Sequence, residues 1–300
     1  MILERWEHAS PVVGLTLRGW HTPATGKPLL HFLHGNGFCG RTYEPMLAAL
    51  AADFDLWLSD APGHGDSEAP ARFPGWNACA LAALEAFQAH AGRFGDVPRL
   101  AAGHSFGGVL TALMLAEAGQ PFRRAVLLDP VLFPPPMLLA IQLGLGRLNP
   151  LAKASLRRRS SWPDRAAAAQ ALRGRGTYKG WTEDALQAFA THALRDEADG
   201  SVALKCAPEL EATIFASAPR GLWAAVANIE TPTLILHGHD TMPFVATAAR
   251  QAARRRPQVI RVAELQGGHC FMQQHPADAA AQVRAHLLGQ APTGPSTRIE

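Results

Sequence analysis

The chain has 300 residues, 48% of them apolar and 18% charged, and a net charge of +3. That balance excludes a disordered chain and an integral membrane segment: the longest apolar candidate, Met137 to Gly146, is broken by Gln142 and glycines. It falls far short of the ~20 residues a spanning helix needs. The positive charge comes mainly from arginine, and a nucleic-acid surface would need more basic residues with aromatics between them, which excludes nucleic acid as a partner.

Met1 to His8 carries acids and no apolar core, which argues against a signal peptide. Short apolar runs then alternate with helical stretches, as in a mostly parallel sheet wrapped by helices. The expected strands are Val12 to Leu17, Leu29 to Leu33, Phe54 to Leu58, Arg99 to Gly103, Arg123 to Leu128, Thr233 to Leu236 and Val259 to Leu265. Helices are expected over Thr42 to Ala51, Trp76 to Ala91, Phe106 to Ala118, Val245 to Ala253 and Ala277 to Leu288.

After Asp129 the alternation stops. Pro134-Pro135-Pro136 can continue neither ladder nor helix. The stretch that follows is helix-rich, with Asp164 to Leu172 and a Thr182-Glu183 start to Thr182 to Arg195. Residues 133–220 therefore read as a helical cap inserted after the sixth strand, and 1–132 with 221–300 as one α/β core. The Pro-, Gly- and Thr-rich tail from Gly289 to Glu300 is expected to be poorly ordered.

Cys39, Cys79, Cys206 and Cys270 show no C-x-x-C spacing, so free thiols in a reducing cytoplasm explain them better than disulfides or zinc. The triplets Arg157-Arg158-Arg159 and Arg254-Arg255-Arg256 read as solvated helix ends, the alternative for the first being contact with an anionic substrate or surface.

The chemistry centres on Gly103-His104-Ser105-Phe106-Gly107. This G-x-S-x-G stands between an extended run and an apolar helix, where the turn is strained and the glycines let chains pass without a Cβ clash. A serine there presents its hydroxyl at the positive end of a helix. It needs a base and an orienting acid. His269, in the loop Gly267-Gly268-His269 before the last helix, is the candidate base among 13 histidines, and His34, His64, His104, His237 and His239 read mainly as structural. Asp240 is the favoured acid, with Asp129 in Leu128-Asp129-Pro130 as the alternative. The N–H groups of Asn36, in His34-Gly35-Asn36-Gly37, and of Phe106 are the candidate oxyanion hole.

With Asp60-Ala61-Pro62-Gly63-His64-Gly65-Asp66-Ser67 added to these segments, the chain resembles the α/β-hydrolase-fold serine hydrolases over nearly its whole length. The resemblance implies an eight-stranded, mostly parallel sheet with an inserted cap and a nucleophile–acid–histidine order, which Ser105, Asp240 and His269 satisfy. It also implies that Asp60 to Ser67 is a structural loop. One residue stands between Gly238 and Asp240, where two are more usual in the family, and members with the acid after the earlier strand keep Asp129 in play. A serine at position 105, rather than the aspartate of the dehalogenases and epoxide hydrolases of this fold, points to acyl transfer to water.

The expected function is thus that of a capped, esterase- or lipase-like hydrolase, cleaving a carboxylic ester of a hydrophobic small molecule through an acyl-enzyme on Ser105, with no metal or organic cofactor. Thioester, amide (including aminopeptidase) or carbon–carbon bond hydrolysis would use the same residues. A non-catalytic ligand-binding protein is the alternative of another class. Met137 to Ile141, Trp162, Trp181 and Phe189 read as packing within the cap rather than as binding residues.

Overall fold

A computed structural model describes residues 1–290. The chain runs β1 (Glu4–Ser10), β2 (Leu15–His21), β3 (Leu29–Leu33), α1 (Glu44–Leu50), β4 (Asp55–Ser59), α2 (Trp76–Ala91), β5 (Arg99–His104), α3 (Phe106–Leu115) and β6 (Phe122–Leu128). It then leaves the sheet through α4 (Pro135–Gln142), α5 (Pro150–Arg157), β7 (Ser161–Trp162), α6 (Arg165–Leu172), α7 (Glu183–His192), β8 (Leu194–Asp196), β9 (Val202–Leu204) and α8 (Pro208–Phe215). It returns by α9 (Leu222–Asn228), β10 (Thr233–Gly238), α10 (Pro243–Arg255), β11 (Ile260–Leu265), α11 (Phe271–Gln274) and α12 (Pro276–Leu287).

Eight strands form one sheet in the order β1-β2-β4-β3-β5-β6-β10-β11. β1 and β2 are antiparallel, β2 joins β4 antiparallel, and every pairing from β4 to β11 is parallel. Parallel strands covered on both faces read as continuous apolar runs, and β3 and β4 are buried at every position. Alternate residues feed two cores. Leu29 and Leu33 pack with α2, α3 and α10, and Leu30 and Phe32 pack with α1 and α12.

Two differences from the sequence reading have local causes. The expected strand at Val12 to Leu17 straddles a turn closed by Gly14 N–H on Ser10 O at 2.9 Å, with Gly14 at φ +66. The first hairpin is therefore Glu4–Ser10 with Leu15–His21, and β1 shows no apolar run because Arg5 and Glu7 point outward. The stretch between β6 and β10 is not wholly helical either, since β7, β9 and β8 form a small antiparallel sheet. The two helices expected there, α6 and α7, start where expected. Asp164 caps α6 by accepting from Ala167 N–H at 2.7 Å, and Thr182 caps α7 by accepting from Ala185 N–H at 3.2 Å. Of the tail, Gly289 and Gln290 still bond back to His286 and Ala285, and 291–300 lie outside the described residues.

Candidate active site

Ser105 follows β5 directly and opens α3, and its backbone sits at φ 53, ψ −113, a region L residues avoid. The turn leaves no space for side chains on either side. A Cβ at Gly103 would stand 2.4 Å from Gly107 O, and one at Gly107 would stand 2.3 Å from Leu33 O. The reward is a hydroxyl held at the N-terminus of a ten-residue helix.

His269 Nε2 lies 2.9 Å from Ser105 Oγ, and its Nδ1 lies 2.6 Å from Asp129 Oδ2. A carboxylate accepts, so His269 Nδ1–H donates to Asp129 and Nε2 is left to take the serine proton. Asp129 is fully buried at the end of β6 and also sits at positive φ (44). Its Oδ1 accepts Gly238 N–H at 2.8 Å, and Thr241 Oγ1 donates to Oδ2.

The histidine's partner is therefore the alternative acid, and not the favoured Asp240. Past β10 the chain stays paired with the β11 loop, His239 N–H to Leu265 O at 2.7 Å and Asp240 N–H to Gly267 O at 2.9 Å, and this leaves Asp240 exposed. β6 lies next to β5 in the sheet and β10 lies one strand further out. Asp129 thus starts nearer to Ser105, and the end of β10 supplies the bonds that hold its carboxylate.

The loop after β3 approaches the same point. Gly107 N–H bonds His34 O at 3.1 Å, tying that loop to α3. Phe106 is the first residue of α3, where backbone N–H groups have no partner within the helix. The Asn36 side chain is anchored by its Nδ2 on Glu211 O at 3.0 Å and its Oδ1 at 3.2 Å from His64 Nε2. Beside it, Gly37 at φ +79 packs under Glu211, whose carboxylate takes both bonds of Arg158 Nη1 at 2.9 and 2.8 Å. Arg158 Nη2 also reaches Tyr178 Oη at 2.8 Å, so the middle of the first arginine triplet is an internal strut rather than a solvated helix end.

His104 links the two loops. Gly35 N–H donates to Tyr43 Oη at 3.0 Å, Tyr43 Oη lies 2.6 Å from His104 Nδ1, and His104 Nε2 lies 2.9 Å from His269 O. Only one proton pattern serves all three bonds: Tyr43 donates to Nδ1, and Nε2–H donates to the carbonyl. Burial, with His269 adjacent, holds the His104 pKa well below the usual range and keeps the ring neutral. Tyr43, Thr241 and the Glu211–Arg158 pair carry no motif of their own, and only their neighbours in space give them a role.

The remaining loops are built around buried groups. Asp60 takes Gly40 N–H at 2.8 Å and Asp66 N–H at 3.1 Å, which ties its loop to the loop after β3. Burial raises its pKa to about 6. Cys270, next to His269 in sequence, is buried and its thiol is pushed up to about 12, so it is not a reactive thiolate.

Comparison with known proteins agrees with this architecture. A family model described as "Alpha/beta hydrolase family" matches residues 32–283. The abhydrolase domain-containing protein AKT2 of Alternaria alternata is 35% identical over 100 residues, 33% of this chain and 35% of that protein. Mouse (Mus musculus) monoglyceride lipase is 31% identical over 127 residues, 41% of each chain. The chain thus aligns with well under two thirds of the length of these curated relatives. Among solved structures, E-2-(acetamidomethylene)succinate hydrolase superposes with a TM-score of 0.73 at 22% identity, covering 95% of this chain and 99% of that one. With the sheet order, the serine turn and a family match over most of its length, the chain belongs to the alpha/beta hydrolase family.

Proposed function

We propose that the protein hydrolyses carboxylic esters through an acyl-enzyme on Ser105. The observation that carries this reading is the line Ser105 Oγ–His269–Asp129, with bonds of 2.9 and 2.6 Å, at the head of α3. His269 Nε2 takes the hydroxyl proton as Ser105 attacks the acyl carbon, and Asp129 stabilises the imidazolium. The N–H groups of Asn36 and Phe106 receive the developing oxyanion. His269 then returns the proton to the leaving alcohol, and a water it deprotonates releases the acid and frees Ser105.

Residues 133–220 act as a cap in this reading. The bond from Asn36 to Glu211 O couples that cap to the oxyanion loop. The partial likeness to monoglyceride lipase supports an ester and an apolar acyl group. Four buried free thiols fit the reducing cytoplasm.

The test is hydrolysis of p-nitrophenyl esters of increasing acyl length by the protein and by Ser105→Ala, alongside labelling with a fluorophosphonate. Turnover and labelling that both vanish in the variant support the reading. Labelling without ester turnover at any length redirects it to thioester, amide or carbon–carbon substrates. Inertness to both assigns the fold to ligand binding.

A further inference from the structure

The segment from α4 through α5 turns leucines to solvent. Leu139, Leu143, Leu145, Leu148, Leu151 and Leu156 are 44–70% exposed. The sequence reading placed the start of this segment in cap packing. Leu138 and Ile141 do turn inward against the core, but among the described residues none covers the other face of α4.

These leucines belong to a segment firmly seated on its opposite side. Gly146 lies so close to α8 that a Cβ there would stand 1.9 Å from Ala216 O. Asn149 Nδ2 donates to Phe215 O at 2.7 Å, while its Oδ1 accepts Leu151 N–H at 2.9 Å and caps α5. Ala152 and Ser155 form the buried face of α5, which packs on α8. The exposed leucines are the face left over. An apolar surface kept in the open on a fixed scaffold marks an interaction site.

Charge selects the occupant. From Pro130 to Pro163 the sequence holds no Asp or Glu, but it holds Arg147, Lys153, Arg157, Arg158 and Arg159. Arg158 is taken up by Glu211, and the other four are exposed. A second copy of this chain would set these cations against their own equivalents, which disfavours self-association. An apolar face carrying four exposed cations in the same segment matches a surface that is anionic at its boundary and apolar just beneath.

We propose that this face docks on an anionic lipid surface, the leucines entering the headgroup–acyl boundary and the four exposed cations meeting acidic headgroups. The proposal is independent of the hydrolytic reading, because binding is measured without turnover.

The experiment is co-sedimentation of the full chain with vesicles of phosphatidylcholine alone and of phosphatidylcholine with about a third phosphatidylglycerol, at low and high salt. Partitioning should be at least about tenfold stronger on the acidic vesicles and should weaken with salt. A triple variant, Leu143→Ser, Leu148→Ser and Leu156→Ser, should lose about tenfold or more while keeping its melting temperature, since all three side chains are exposed. Equal partitioning on both vesicle types, or none on either, overturns the proposal, as does an unaffected triple variant. A dimer in sedimentation velocity that the triple variant abolishes overturns it too and assigns the face to a second copy.

Discussion

The Asp129 carboxylate meets His269 Nδ1 at 2.6 Å with its other oxygen already committed to Gly238 N–H at 2.8 Å. That second bond decides what an amide would do there. In Asp129→Asn the oxygen stays on Gly238, so the NH2 faces His269 and drives the ring proton to Nε2, where it opposes the Ser105 hydroxyl. The backbone and the volume are unchanged, but the histidine can no longer accept. We expect kcat on a p-nitrophenyl ester to fall by ~10⁴, and Asp240→Asn, at an exposed position, to leave it unchanged. Comparable losses in both variants would reject Asp129 as the partner.

Strain at Ser105 makes a second prediction that is about stability alone. Ser105→Ala and Ser105→Gly both delete the hydroxyl and its bond to His269, but only glycine relaxes a backbone at φ 53. Residues held in such regions cost of order 1–3 kcal/mol, partly offset by the extra freedom glycine gains on unfolding. The glycine variant should therefore be more stable than the alanine variant by about 1 kcal/mol in urea unfolding. Equal midpoints would show that the turn stores no strain.

Much of this was legible in the chain, and the rest failed for identifiable reasons. β3 to β6 could be read because strands covered on both faces are continuously apolar, and Trp76–Ala91 is the helix the sequence indicated. β1 was hidden because an edge strand alternates charged residues outward. Ser105 and His269 sit in glycine-bearing turns whose spacing is visible. The acid was not decidable from spacing, because two aspartates follow two neighbouring strands. The choice depends on which strand lies beside β5, a property of the sheet order. Met137 to Ile141, expected as packing within the cap, is only partly so: Leu138 and Ile141 turn inward while Leu139 stands open. Periodicity shows that a face is apolar, not whether anything covers it.

Tyr43 offers a test of the link between the two loops. Its hydroxyl accepts Gly35 N–H at 3.0 Å and meets His104 Nδ1 at 2.6 Å, all in the buried interior. Tyr43→Phe leaves a buried donor and a buried acceptor unpaired, at ~1–3 kcal/mol each. The melting temperature should fall. Because Gly35 precedes Asn36, kcat should also fall about tenfold with KM little changed, as expected when an interaction made in the transition state is weakened. A lower melting temperature with normal kcat would make Tyr43 a packing residue only.

Acid should unfold this protein through its buried histidines. Burial lowers His31 and His34 to about 3 and His64 to about 4, from 6.5. Between about 4 and 6.5 the unfolded chain binds protons at these sites that the folded chain refuses. Stability therefore rises with pH across that window and is lost as pH falls through it. At pH 5 each group contributes about 2 kcal/mol of destabilisation relative to neutral pH. Asp60 works the other way: raised to about 6 from 3.8, it favours the folded state as pH falls. One carboxyl does not offset three histidines. The urea midpoint should drop steeply from pH 7 to 5. His31 makes the cleanest probe, since its ring packs on Phe87 and Phe122, its Nε2 lies 2.8 Å from Ser59 Oγ, and its Nδ1 meets no partner among the described residues. His31→Phe should flatten the slope by about one proton. A slope unchanged by that substitution would place the acid sensitivity elsewhere.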